Sequence, residues 1–221
     1  MISFPDVLDF DSIGNLQLEK YVSLYSKTKN WELVVDEVKI NNVPLDIYRW
    51  PMVTNEFCKD IIKDAELFGD WTSNRHDHYP THDILLEKFG YNDVYNLILD
   101  NYLHTVARYI WGLEGDPWLR METESFIVKY DNGSAGNMNN LAIHSDGCEY
   151  SCILSLNEDY EGGGTWFPKQ NTLIKNNTGT VSLFPQMVTH RHGARPVESG
   201  VRYIITTFCY RECGRRRHRK N

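Results

Sequence analysis

The period of the hydrophobic positions changes twice along the chain. Between residues 31 and 50 they follow a β pattern, through Val34, Val35, Val38 and Ile40 and then Val43, Leu45, Ile47 and Tyr48, which predicts two strands joined at Asn41-Asn42. From 55 to 68 the period is helical. Phe57, Ile61, Ala65 and Phe68 share a face, Thr54 is a suitable N-cap and Gly69 a stop. A second helix is predicted over roughly residues 93–111, with Tyr95, Leu99, Tyr102, Val106 and Ile110 inward. After Gly115-Asp116-Pro117 short apolar runs split by turn residues take over: 125–130, 143–146, 150–156, 165–167, 180–184, 188–192 and 202–210. Gly162-Gly163-Gly164 predicts a tight turn with positive φ. Two helices followed by many short strands predict a mainly β chain with flanking helices (α+β), organised as a jelly roll. Residues 1–45, with weak helical character near 16–24, form an extension packing on the core. Residues 46–212 form the domain and 213–221 a tail.

Composition narrows this little. The chain has 221 residues, 41% hydrophobic and 24% charged, enough for one sizeable core. No apolar run reaches spanning length, so no membrane role is expected. The first eleven residues carry Asp6, Asp9 and Asp11 and no basic n-region. A cytoplasmic setting is expected if this is the whole chain, and one resembling the endoplasmic reticulum if it is cut from a longer protein. Net charge is −7, although Arg215, Arg216, Arg217, Arg219 and Lys220 crowd five positives into the tail. An acidic body favours basic partners and disfavours nucleic acid. Five cysteines do not make a disulfide framework, and Cys148/Cys152 and Cys209/Cys213 lack the usual zinc spacing, so reduced thiols are expected.

Candidate chemistry centres on His144-Ser145-Asp146, His192 and Arg202. Alternate residues of a strand face one side, so His144 and Asp146 can grip one cation, and His192 can close the site from a neighbouring strand. Two imidazoles and one carboxylate leave open positions on a metal, as in the facial triad of non-heme Fe(II) oxygenases. His190, two residues away on the same predicted strand face, competes for the third position. The competing reading of the whole set is two hydrogen-bonded histidines in a β core. The Arg202 fork suits bidentate capture of a carboxylate such as the distal end of 2-oxoglutarate, and its competing role is a structural salt bridge. Residues 71–84 form a long polar loop with three histidines and two aspartates, placed to contact a substrate.

Beyond spacing, residues 47–210 resemble the C-terminal catalytic domain of the procollagen lysyl hydroxylases, within the Fe(II)/2-oxoglutarate oxygenase superfamily. The resemblance rests on Phe126-Ile-Val-Lys-Tyr130, His144-Ser-Asp146, Asp159-Tyr-Glu-Gly-Gly-Gly164, Thr189-His-Arg-His-Gly193 and Gly200-Val-Arg-Tyr-Ile204, with Phe68-Gly-Asp-Trp71 and Pro80-Thr-His-Asp-Ile84. It implies a double-stranded β-helix with His144, Asp146 and His192 on iron. The ten-residue step from His192 to Arg202 is family-like and favours His192 over His190. It further implies Arg202 as the 2-oxoglutarate anchor and Tyr130 as its support. Thr206, four residues on along the same strand face, is placed to bind the same carboxylate. The implied cofactors are Fe(II), 2-oxoglutarate, O2 and L-ascorbate. The implied reaction hydroxylates a lysine in a peptide or protein, collagen-like among others, releasing succinate and CO2, with Asp77 and Asp83 as partners for the substrate ammonium. The same chemistry on proline or another residue, and a metal-binding module without turnover, are the alternatives. A homodimer follows by analogy only.

Overall fold

The computed structural model describes residues 20–23, 35–76, 78–112, 121–132, 138–186 and 188–211. Strands β1 (Asp36–Ile40) and β2 (Val43–Pro51) form the predicted hairpin, with Asn41 and Asn42 at φ 51° and 64°. Asparagine tolerates this left-handed turn conformation far better than a β-branched residue. Helix α1 (Asn55–Phe68) runs between the predicted caps. Thr54 Oγ1 accepts from the Phe57 N–H at 3.3 Å, and Gly69, at φ 70°, donates to the Ala65 carbonyl. Before it, Val22 bridges to Val53 and the Tyr21 carbonyl accepts the Thr54 N–H. The rest of the predicted helical stretch near 16–24 and the basic tail lie outside the described residues.

Two predictions about the middle of the chain need correction. The end of the expected polar loop is strand β3 (His82–Leu85), because it pairs with the strand at 121–131. The expected single helix is α2 (Asn92–Ile98) and α3 (His104–Ile110) joined by a π turn, Leu99–Leu103. The extra residue moves the inward position from Tyr102 to Leu103, so Leu99, Leu103 and Val106 are all fully buried.

The remaining strands are β4 (Met121–Asp131), β5 (Leu141–His144), β6 (Tyr150–Ser155), β7 (Tyr160–Gly162), β8 (Thr165–Phe167), β9 (Thr172–Ile174), β10 (Thr180–Pro185), β11 (His192–Ala194) and β12 (Val197–Arg211). Two differ from expectation. β5 stops at His144, leaving Asp146 beyond the strand, and residues 188–190 form a 3-10 turn rather than strand. In the larger sheet β1, β2, β10, β6, β12, β4 and β3 lie side by side, with β7 added on β12; the smaller sheet is β5-β11-β8-β9. This is a jelly roll of two open, antiparallel sheets.

Strand parity divides the core. Ile127, Cys152, Leu154, Val181, Leu183 and Ile205 belong to the cluster shared with the helices, while their neighbours Phe126, Val128, Ile153, Phe184 and Ile204 pack with Phe167 and Ile174 of the smaller sheet. Both faces of the larger sheet are therefore covered, which is why its strands read as near-continuous apolar runs. The same parity turns Arg202, Ile204 and Thr206 toward the smaller sheet.

Candidate metal centre

The register of the smaller sheet builds the site. In the antiparallel β5–β11 pair, His192 stands directly opposite His144, and their ring centroids are 4.7 Å apart. Asp146 reaches the same point from the turn after β5. Its carboxylate lies 3.0 Å (Oδ1) from His144 Nε2 and 3.7 Å (Oδ2) from His192 Nε2. One ligand atom from each residue falls within 4.8 Å of the others, the one such His/Cys/Asp/Glu cluster among the described residues. Phe167 and Phe184 hold the His192 ring, with centroids at 5.6 and 4.9 Å.

Two histidines and the carboxylate are oriented from behind. His144 Nδ1 faces the Ala142 carbonyl at 2.8 Å, and His192 Nδ1 faces the His190 carbonyl at 3.1 Å. A carbonyl can only accept, so each Nδ1 carries hydrogen and each neutral ring presents the Nε2 lone pair to the centre. Asp146 is held by the Ser151 hydroxyl (2.6 Å) and Gln186 Nε2 (2.8 Å), both donating to Oδ2, while its own N–H donates to Gln186 Oε1 at 3.0 Å. These bonds replace the strand pleat that the sequence suggested would aim it. Oδ1 is buried without an aligned hydrogen bond. A buried carboxylate oxygen facing imidazole lone pairs is a donor set that fits a divalent cation, and the supporting bonds are the outer contacts such ligands use. His190 does not compete: its Nε2 lies 2.9 Å from the Leu45 carbonyl and its Nδ1 3.0 Å from Thr189 Oγ1.

Charge follows the same geometry. Burial lowers the His144 pKa, but the Asp146 carboxylate beside it outweighs burial, and the net shift is upward. His192, still more buried, is shifted down, chiefly by desolvation. Burial raises the Asp146 pKa, but His192, His144 and the Ser151 hydroxyl hold it below the usual carboxylate range.

The triad lines a cavity of about 360 Å³ between the two sheets. Arg202, Tyr130 and Thr206 line it too. Arg202 is 3% exposed. Its fork donates to the Gly164 carbonyl (3.4 Å) and Thr165 Oγ1 (3.2 Å), it sits 5.5 Å from the centroid of the Tyr130 ring, and its Nε has no partner. Tyr130 is its register partner across β4–β12. No carboxylate among the described residues pairs with Arg202, so the alternative of a structural salt bridge finds no partner. A buried guanidinium without a counter-ion leaves room for an anion. Gly163, at φ 62°, passes so close that a Cβ there would lie 3.3 Å from Arg202 Cδ and 2.9 Å from the Tyr160 ring, which is why the turn after β7 is glycine.

No family model matches the chain. Curated relatives do. It is 29% identical over 83% of its length to the multifunctional procollagen lysine hydroxylase and glycosyltransferase of Caenorhabditis elegans, matching 26% of that protein. It is 27% identical over 74% of its length to the rat multifunctional procollagen lysine hydroxylase and glycosyltransferase LH3, matching 23% of it. The chain is homologous to the procollagen lysine hydroxylases. It spans about a quarter of the length of these relatives. Among solved structures, the viral collagen prolyl hydroxylase of Paramecium bursaria Chlorella virus-1, solved as its 2OG complex, shares the fold with TM-score 0.55 and 18% identity, over 74% of this chain and 94% of that one. A Pseudomonas putida prolyl-4-hydroxylase gives TM-score 0.53 and 13% identity, over 76% of this chain and 93% of that one.

In this lysyl hydroxylase homologue the segment 71–84 does border the cavity, through Arg75, His76, His78, Tyr79 and Thr81, with the Tyr79 ring 5.0 Å from that of His144. One of its two aspartates is placed otherwise than expected. Asp77 lies outside the described residues. Asp83 is fully buried, bound by Arg75 Nη1 and the Thr81 hydroxyl, and lines neither this cavity nor its neighbour. Gln186 and Ser151 escaped the sequence reading, since an amide and a hydroxyl far from the motif carry no spacing signal. Cys148, Cys152 and Cys209 are free thiols, and burial pushes that of Cys152 up to about 12; Cys213 is outside the described residues.

Proposed function

We propose that this chain is an Fe(II)- and 2-oxoglutarate-dependent dioxygenase that hydroxylates a lysine in a collagen-like or other peptide, releasing succinate and CO2. The observation that carries it is the convergence of His144, Asp146 and His192 in one cavity with a buried arginine that has no counter-ion among the described residues. Homology to procollagen lysine hydroxylases supports the choice of lysine. His144 and His192 would hold the iron through Nε2 and Asp146 through its carboxylate. All three residues line the cavity that would receive the cosubstrate. Arg202 and Thr206 would bind the distal carboxylate of 2-oxoglutarate, with Tyr130 flanking it. Iron with 2-oxoglutarate and O2 supplies the oxidising power for an unactivated C–H bond, and ascorbate keeps the metal reduced. The protein's part is to orient the ligands, neutralise the cosubstrate and keep water away with the apolar walls Val128, Ile153, Ile204 and Phe208.

Anaerobic Fe(II) titration together with succinate release tests the assignment. His192→Ala is expected to lose both, and His190→Ala to retain both. The opposite pattern would overturn it.

A further inference from the structure

A second, polar cavity of about 710 Å³ adjoins the first and shares Arg75, His76, Asp146 and Phe208 with it, so the two meet beside the metal-ligand carboxylate. Its walls add Glu87 and Glu124, Asn92 and Asn96, and among the described residues no basic one beyond Arg75 and His76. Burial lowers the His76 pKa, so that ring adds no charge at neutral pH. Arg75 lies across the junction, 4.6 Å over the Phe126 ring, with Nη1 on Asp83 and Nη2 on Glu124 at 2.6 Å. The two carboxylates differ. The Asp83 side chain is fully enclosed, whereas that of Glu124 is 34% exposed. Asp83 thus anchors and neutralises the arginine, while the solvent-facing half of the clamp is the weaker half. A carboxylate has lone pairs for more than one donor, so Glu124 can take up an incoming cation while Arg75 stays bound to Asp83. Among the described residues, the walls of the polar cavity carry more carboxylates (Glu87, Glu124, Asp146) than cations.

We propose that Glu124 is the counter-ion for the ammonium of the target lysine, which enters through the polar cavity and passes Phe208 to reach the metal centre. This rests on the lysyl reading above. The number in the relatives' name, procollagen-lysine,2-oxoglutarate 5-dioxygenase, denotes carbon 5 of lysine, which is bonded to the carbon bearing the amine. For the same chemistry here, the ammonium must find its partner close to the metal, and Glu124 shares a cavity with Asp146. The role first expected of Asp83 passes to the residue at the other end of the same arginine.

The test measures binding by calorimetry, on the full chain loaded anaerobically with Fe(II) and 2-oxoglutarate. The probes are two collagen-like peptides differing in one residue, lysine or its uncharged analogue norleucine. Wild type is expected to prefer the lysine peptide by about tenfold, the size of one charge-assisted contact. Glu124→Gln is expected to bring the two within about twofold, and Glu124→Asp to recover part of the preference. A Glu124→Gln variant that keeps the full preference overturns the assignment to Glu124 and leaves the lysyl reading standing. Wild type binding both peptides equally needs no variant to interpret. It overturns the assignment, and hydroxylated proline in the same peptides after a separate incubation with O2 would overturn the lysyl reading with it.

Discussion

Arg202 is the residue whose environment says most about its task. It is a buried fork with hydrogen bonds to one carbonyl and one hydroxyl, a tyrosine face beside it and, among the described residues, no acid. Lysine keeps the charge but loses the fork. Arg202→Lys should therefore raise the KM for 2-oxoglutarate about tenfold or more, from a loss of about 1.5–3 kcal/mol, while iron still binds. A 2-oxoglutarate titration under saturating iron and peptide reads this; an unchanged KM with lowered thermal stability would make the arginine structural. Gln186 is the matching case among uncharged residues. It holds both the backbone N–H and the Oδ2 of Asp146. Gln186→Ala should weaken Fe(II) affinity by about 10–100-fold, as outer-shell losses do, with the fold intact by circular dichroism. Affinity equal to wild type would remove Gln186 from the site. That His144, Asp146 and His192 would converge, with Arg202 on the same cavity, was legible in the sequence because candidate metal and carboxylate chemistry calls for rare residue types in a fixed order. Gln186 was not, because an amide has many uses and nothing local ties residue 186 to residue 146. Asp83 was legible as an acid but not as a buried one, since Arg75 encloses it only in the folded chain.

At the scale of elements, those whose ends are set locally were readable and those shaped by distant contacts were not. Thr54 and Gly69 cap α1 with their own side chain and backbone, so its limits could be read directly. The turn before β11 was misread as strand because His190 is captured by the Leu45 carbonyl, far away in the chain. β7 and β9, three residues each, are too short to show a period. One element carries a pH dependence. His104 of α3 is buried against β6, with Nδ1 2.7 Å from the Tyr150 hydroxyl, and burial lowers its pKa to about 4. The unfolded chain, with an ordinary value near ~6.5, binds the extra proton first. The stability that a neutral His104 allows is thus fully present above about pH 6.5 and is lost as pH falls toward 4. Urea unfolding at pH 7 and pH 5 should show wild type losing about 2 kcal/mol more than His104→Gln over that interval. Equal losses would show that His104 is not the titrating group.

At the scale of the molecule, the architecture is a larger sheet with helices on one face and a smaller sheet on the other, with the candidate metal centre between the two sheets. The count and order of strands suggested a jelly roll. Which strands pair across it, and hence that His144 and His192 face each other, depends on a register that no single segment records. Two cavities meeting at Asp146 give the site one apolar compartment holding Arg202 and one polar compartment holding Glu124. The account's central claim is that this site hydroxylates peptidyl lysine. The most direct measurement is tandem mass spectrometry of a collagen-like peptide containing both lysine and proline, after incubation with the protein, Fe(II), 2-oxoglutarate, ascorbate and isotopically labelled O2. The account predicts one labelled oxygen atom on lysine, matched by succinate and lost on omitting 2-oxoglutarate. Label on proline alone, or 2-oxoglutarate-independent label, would contradict it.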